Sequence, residues 1–127
     1  MRLRLDPNAG PIFEQIVAGI KAAVARGELA PGEKLPSARA LAEELKVNPN
    51  TVIRAFLELE HEGITETRRG LGTFVREDVD QGALRHELLR AAARCYLDAA
   101  RELGLGEEEA ARALLEVERD ARGQGSA

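Results

Sequence analysis

The spacing of apolar residues along the first half of the chain predicts three helices. In residues 12–26 apolar side chains recur every three or four positions, which is typical of a helix with one buried face. Two shorter stretches with the same period, 38–45 and 49–62, predict two more helices. Ser37 and Asn48 stand immediately before them, and both residue types are preferred as N-caps.

The period changes in residues 64–76, where two β-prone runs flank a glycine-bearing tip and predict a hairpin. Helical spacing returns in residues 84–103 and again from 107 onwards, while residues 122–127 are expected to form a polar tail. The predicted fold is therefore mainly α with a small β-hairpin wing. Its architecture is an N-terminal winged helix-turn-helix followed by two C-terminal α-helices.

Composition narrows the class of protein. The 127 residues are 44% hydrophobic but only 3% aromatic, and they include no Trp, so aliphatic side chains and alanine must fill the core. One cysteine cannot form an internal disulfide, and no run approaches the ~18 apolar residues of a membrane span. We expect a cytoplasmic protein that does not act at a membrane.

The net charge of −4 conceals an asymmetry between two predicted domains. Residues 1–76, the predicted winged helix-turn-helix domain, hold 11 Lys and Arg against 10 Asp and Glu. Residues 77–127, which contain the two predicted C-terminal helices, hold 7 Lys and Arg against 12 Asp and Glu. The acidic excess lies entirely in the second part, so the first part can still present a basic face to a nucleic acid.

The second and third predicted helices form a unit that can read DNA. The small residues Ala42 and Ala55 allow these helices to cross closely, which leaves the third helix standing out from the domain. Arg can bond a guanine edge and Asn an adenine edge in the major groove, and glycine lets a hairpin tip approach phosphate or a minor groove. The residues offered to DNA in this way are Asn48, Asn50, Thr51, Arg54, Arg68, Arg69, Gly70 and Gly72.

Residues 11–76 resemble the DNA-binding domain of GntR-family bacterial transcription regulators. The resemblance is carried by the stretches Pro-Ile-Phe-Glu-Gln-Ile (11–16), Gly-Glu-Leu-Ala-Pro-Gly-Glu-Lys-Leu-Pro-Ser-Ala-Arg (27–39), Val-Asn-Pro-Asn-Thr-Val-Ile-Arg-Ala (47–55) and Glu-Thr-Arg-Arg-Gly-Leu-Gly-Thr-Phe-Val (66–75). The short two-helix C-terminal part is similar to the YtrA subfamily, in which such an appendage forms a homodimer.

This resemblance implies specific DNA contacts. Arg39 would contact DNA, and Ser37 would contact the DNA backbone. The residues named above on the third helix, which is the recognition helix of this family, and at the wing tip would contact bases or phosphates. Two departures from the family pattern bear on the fold. Lys46 stands where the turn often has Gly, so a left-handed backbone there would cost about 1 kcal/mol. Thr65 replaces a usual apolar residue in the first wing strand.

The apolar stripes of the two C-terminal helices favour a homodimer. Two short helices offer little room for a private ligand pocket, so we expect a second copy to cover the stripes. The alternative is that they fold back on the first domain. A two-fold dimer matches an inverted-repeat operator on double-stranded DNA. The predicted interface residues are Leu84, Leu88, Ala92, Tyr96, Leu103 and Leu114.

These features predict a transcription regulator, more specifically a repressor, with no catalytic residues, no cofactor and no metal site. His61 and His86 belong to no ligand pattern, and Cys95 is expected to be a packed residue. Two alternatives stay open: a protein–protein adaptor that reuses a winged helix, and a metal- or ligand-sensing regulator. Whether a small-molecule effector exists is also open.

Overall fold

The computed structural model describes residues 1–125, which form a mainly helical fold with one hairpin and confirm the predicted class. The elements are α1 (Ile12–Arg26), α2 (Ala38–Leu45), α3 (Pro49–His61), β1 (Thr65–Arg68), β2 (Gly72–Val75), α4 (Gln81–Glu102) and α5 (Glu107–Gly125). They divide into two compact units, Met1–His86 and Glu87–Ala127.

The caps of α2 and α3 confirm the predicted helix starts. The Ser37 Oγ accepts a hydrogen bond from the Ala40 N–H at 3.0 Å, and the Asn48 Oδ1 accepts one from the Asn50 N–H at 2.8 Å. Pro49 is the first residue of α3, where its missing N–H leaves no donor unpaired. Each cap provides a hydrogen-bond acceptor for a backbone N–H that has no acceptor within its own helix.

Lys46 makes the turn between α2 and α3 in the left-handed conformation, with φ 58° and ψ 48°. The Val47 N–H then donates to the Ala42 carbonyl at 3.0 Å, which closes the turn. Ala42 and Ala55, the small residues expected at the crossing, are both buried. The strain of about 1 kcal/mol at Lys46 is the cost of this short connection.

Packing of α1 and α2 against α3 forms the core of the first unit. Leu29 and Leu35 in the connector between α1 and α2 are buried there. A partly buried ion pair joins α1 to the end of α3, with 2.7 Å between the Lys21 Nζ and a Glu62 carboxylate oxygen. The largest fully buried side chains in this unit are Ile16, Ile20, Leu41, Leu59, Val24, Val52, Val75 and Thr65.

The connector also supplies a strand-like segment that the sequence did not predict. Antiparallel pairing of β1 with β2 aligns Thr65 with Val75, as a hairpin requires. On the other edge of β2, the Val75 N–H donates to the Glu33 carbonyl and the Leu35 N–H donates to the Thr73 carbonyl, both at 2.8 Å. Because residues 31–36 contain two prolines and a glycine, their pattern indicates only a loop.

The first turns of α4 belong to the first unit, so this unit extends ten residues beyond the predicted boundary at 76. The Gln81 side chain donates to the Val24 carbonyl and the Arg85 side chain to the Ala25 carbonyl, each at 2.9 Å. These bonds satisfy carbonyls at the C-terminal end of α1. Leu84, which lies between them, is only 4% exposed.

The second unit contains the rest of α4 and α5. The Tyr96 hydroxyl donates to the Ala110 carbonyl at 2.8 Å and ties the two helices together. Residues 122–125 continue α5, so the prediction of a polar tail is wrong for them, and 126–127 lie outside the described residues. An ion pair between Arg122 and Glu118, one helical turn apart, supports this last turn. No helix in the described range is long and apolar enough to cross a membrane.

Thr65 carries a buried hydroxyl that has no hydrogen-bond partner among the described residues. Its side chain is 1% exposed, in a slot that an apolar residue of the same shape would fill. We expect Thr65→Val to raise the free energy of unfolding by about 1 kcal/mol, because the desolvated hydroxyl is removed. Urea denaturation would measure it. The control is Thr67→Val on the exposed side of β1, and a Thr65→Val variant no more stable than wild type would contradict this account.

Candidate nucleic-acid interface

The N-terminus of α2, the outer side of α3 and the hairpin line one open groove of about 280 Å³ in the first unit. The hairpin is held to α3 by a hydrogen bond of 3.2 Å from the Thr67 N–H to a Glu60 carboxylate oxygen. This bond fixes the first wing strand beside the helix. The residues that line the groove are Ser37, Ala38, Ile53, Phe56, Leu57, Glu60, Thr67, Gly72 and Thr73.

Three exposed arginines lie on the elements that border this groove. Arg39 lies in the first turn of α2, Arg54 in α3 and Arg69 at the hairpin tip. Within residues 1–125 the structure pairs none of them with a carboxylate, whereas Arg26 pairs with Glu28. When an arginine has no carboxylate partner, its charge is not compensated and its N–H groups are available to an external anion.

Arg54 is oriented by an aromatic ring. Its guanidinium carbon lies 3.7 Å from the centroid of the Phe13 ring, at the start of α1. This distance is well inside the range of a cation–π contact, which holds the planar group against the ring face while its edge stays free to donate. The sequence placed Phe13 only in the buried stripe of α1, so this role was missed.

Arg68 is engaged within the hairpin. Its side chain donates to Glu66 at 2.8 and 3.1 Å, and its guanidinium carbon lies 4.3 Å from the Phe74 ring centroid. Just beyond the hairpin, hydrogen bonds from Arg76 hold the pKa of the Asp78 carboxyl below its usual value. Among the described residues of the wing, Arg69 is therefore the cation left without an ion pair.

The two glycines of the wing are required for different structural reasons. Gly70 has φ 77° at the third position of the tip turn, which the Leu71 N–H closes by donating to the Arg68 carbonyl at 2.9 Å. A Cβ on Gly72 would lie 2.8 Å from the Lys34 Cε, so the lysine side chain crosses the backbone there. Lys34 therefore places another ammonium group beside the wing, which sequence reasoning did not indicate.

The predicted polar residues on α3 divide into caps and free side chains. Asn48 is exposed, but its carbonyl oxygen is occupied by the cap, so only its NH₂ group remains to donate outward. Asn50 is exposed and Thr51 half-buried on the first turn. Ser37 combines a cap with a place in the groove, and its hydroxyl proton remains free to donate.

Ile53 corrects the predicted apolar side of α3. The apolar pattern of residues 49–62 predicts an inward side of Val52, Ile53, Phe56 and Leu59. In the structure Ile53 is 45% exposed, and Leu57 is 60% exposed. Successive helical residues are 100° apart, so the buried face centred on Val52 and Phe56 leaves Ile53 at its margin. The apolar character of these two residues concealed their place in the groove.

A second groove, of about 480 Å³, lies between α4 and α5 in the second unit. Of the predicted interface residues, Ala92, Tyr96 and Leu114 line it. Leu103 is exposed and Leu88 half-buried. Leu84 is buried within the first unit and has almost no surface to offer a partner, so the structure does not favour it as a residue of the predicted interface. The full lining is Leu89, Ala92, Ala93, Tyr96, Leu97, Glu107, Ala110, Ala111 and Leu114.

The described residues contain no group of three or more His, Cys, Asp or Glu that could hold a metal ion. Cys95 is exposed on α4, so the expectation of a packed cysteine is wrong. Tyr96 and Leu97 take the half-buried positions next to it.

Comparison with known proteins places this arrangement in a family. Residues 12–75 match the family model described as bacterial regulatory proteins of the gntR family. The transcriptional repressor YtrA of Bacillus subtilis is 48% identical over 77 residues, which cover 60% of this chain and 59% of YtrA.

Two solved structures are similar. A GntR family transcriptional regulator from Listeria monocytogenes superposes with a TM-score of 0.78 at 31% identity, and the match covers 87% of this chain and 98% of that one. AraR(DBD), solved in complex with operator ORX1, superposes with a TM-score of 0.51 at 25% identity. That match covers 59% of this chain and 90% of AraR(DBD).

The contact between Arg54 and Phe13 leads to a first prediction on DNA binding. We expect Phe13→Leu to weaken binding about two- to fivefold, because the guanidinium loses the ring that orients it. Phe13→Tyr, which keeps the ring, should bind like wild type. Fluorescence anisotropy with a labelled duplex would measure the affinities. If Phe13→Leu weakened binding equally in an Arg54→Ala background, the effect would not run through Arg54.

Proposed function

Because the chain belongs to the GntR family of bacterial DNA-binding transcription regulators, with YtrA-like relatives, we propose that it is a repressor that binds an inverted-repeat operator as a homodimer. Members of this family regulate transcription and are not enzymes. The name of the B. subtilis relative, a transcriptional repressor, supports the direction of regulation. The AraR structure, which contains an operator, supports double-stranded DNA as the partner.

The observation that carries this proposal is the set of unpaired arginines on three elements of one unit. Arg39, Arg54 and Arg69 come from α2, α3 and the wing, and none of them has a carboxylate partner within residues 1–125. What these three arginines share is their place on the elements that border one groove of the first unit. Three guanidiniums grouped in this way suit a polyanion, and the phosphate backbone of DNA is such a polyanion.

We assign DNA recognition to the first unit. In this proposal α3 enters the major groove, where Asn50, Thr51 and Arg54 face base edges and phosphates. Arg39 and the Ser37 hydroxyl contact the backbone. The wing lies on the neighbouring backbone or minor groove.

Within the wing, Arg69 supplies the main positive charge, and Gly70, with open space beside it, allows close approach of the backbone. Gly72 instead makes room for the Lys34 side chain, which adds a second cation beside the wing. Arg68 contributes less than Arg69, because Glu66 already neutralises it. The NH₂ group of Asn48 donates to DNA while its oxygen caps α3.

We assign dimerisation to the second unit. Its helices leave large apolar side chains uncovered, with Leu89, Leu114, Leu115 and Val117 all more than half exposed. Uncovered apolar patches of this kind mark interaction surfaces, and a two-fold partner would cover the same patch on both copies. Two copies of the first unit would then meet the two half-sites of an inverted repeat.

Selection of bound duplexes from a random DNA pool at about 150 mM salt tests the proposal directly. We expect an enriched inverted repeat, with half-sites about one helical turn apart. Enrichment of a single half-site would contradict the dimeric arrangement. No enrichment by folded protein would overturn sequence-specific binding and favour an adaptor.

Removing the free cation of the wing should change the salt dependence of binding. We expect Arg69→Ala to make the plot of log affinity against log salt shallower by about 0.9 for each phosphate that Arg69 neutralises, with sequence preference kept. Arg101→Ala, which removes a paired arginine from α4, is the control. Equal slopes for wild type and Arg69→Ala would rule out a phosphate contact at this position.

Placing a charge in the apolar groove of the second unit should separate the copies. Leu114 lines that groove and is 56% exposed, so Leu114→Asp should leave the chain folded but bury an unpaired carboxylate in any dimer. Light scattering should then give half the wild-type mass. Leu71→Asp, at the wing tip, controls for charge on an exposed leucine. A Leu114→Asp variant that keeps the dimer mass would place the interface elsewhere.

A further inference from the structure

The first unit exposes three large apolar side chains, and all of them lie on α3 or the wing. Ile53 and Leu57 follow one another at four-residue spacing on α3, and Leu71 is at the wing tip. Every other large aliphatic residue of this unit, which spans residues 1–86, is buried or half-buried. Exposure of Ile53 and Leu57 is therefore not a general feature of this surface.

Polar groups that suit base edges surround this apolar pair. Asn50 lies three residues before Ile53 and seven before Leu57, so all three share one side of the helix. Arg54 follows Ile53 on the adjoining side, with its guanidinium set on the Phe13 ring. Amide and guanidinium donors beside an aliphatic pair match the mixture of groups in the major groove, where only thymine adds a methyl group.

The size of the groove also favours a small apolar group over a protein surface. At about 280 Å³ the groove is lined by polar as well as apolar side chains, including Ser37, Glu60 and Thr67. A stable protein interface needs a much larger continuous patch. A methyl group projecting from a base pair needs only the tips of Ile53 and Leu57.

We propose that Ile53 and Leu57 read thymine through its C5-methyl group, so that operator preference includes an apolar component besides the polar contacts. This inference rests on the proposed function, because it requires that α3 enter the major groove. It adds a chemical class of contact that the arginines and asparagines do not supply. Positions facing these side chains should select T over every other base.

The test removes the methyl group from the DNA and leaves the protein intact. Each thymine of the enriched duplex is replaced in turn by deoxyuridine, which pairs identically but lacks the C5-methyl group, and binding is measured at about 150 mM salt. For wild type we expect one or two positions per half-site at which the replacement weakens binding about three- to fivefold. Other thymines should tolerate it.

Protein variants then assign the effect. Ile53→Ala and Leu57→Ala alter exposed side chains, so both should fold, and each should lose the preference for thymine over deoxyuridine at its own position. Leu71→Ala is the matched control, since Leu71 is 62% exposed but lies at the wing tip, and it should keep the wild-type pattern. Circular dichroism would confirm the helical content of each variant.

The outcomes separate this inference from the proposed function. Wild type that binds every deoxyuridine duplex as tightly as the thymine duplex overturns methyl reading and leaves sequence-specific binding intact. Methyl reading by these two residues is also overturned if the Ile53→Ala, Leu57→Ala double variant keeps the full thymine preference. Failure to enrich any duplex overturns both proposals together.

Discussion

The burial of one face of α3 is the constraint on which the rest of this molecule depends. Val52, Ala55 and Leu59 have no exposed surface, and α1 and α2 both pack against this helix. A rotation of α3 by a single residue, or 100°, would bring Ile53 into the core and expose Val52. Since a buried aliphatic side chain contributes about 1.5–3 kcal/mol, the core fixes which residues α3 presents outward.

The same constraint orders the surrounding contacts. The Glu60 carboxylate holds the first wing strand beside α3, and the Glu62 carboxylate pairs with Lys21 of α1. Phe13 lies where its ring can meet Arg54. These contacts reach α3 from different directions, so the position of the wing and the orientation of Arg54 both follow from one helix placement.

Local signals made most of this architecture predictable from the sequence. The caps at Ser37 and Asn48 and the order of helices and hairpin depend on neighbouring residues, and the structure confirms them. The left-handed turn at Lys46 is expected only from the resemblance to a known family. What could not be predicted depends on distant partners. The pairing of residues 32–35 with β2 and the burial of Leu84 each need an element remote in sequence. Periodicity reports which face of a helix is apolar, but not what covers it.

The caps of α2 and α3 limit how this surface can change. Ser37 and Asn48 each spend an oxygen on a backbone amide, and each also stands where DNA is proposed to lie. Only a few side chains cap well, chiefly Asn, Asp, Ser and Thr, and replacing one by Ala costs about 1 kcal/mol. Of these, Asp would turn a negative charge toward phosphate. In proteins that share these caps but bind another target sequence, we therefore expect few residue types at positions 37 and 48. Changes of DNA specificity would instead arise from substitutions of Asn50, Ile53 and Leu57.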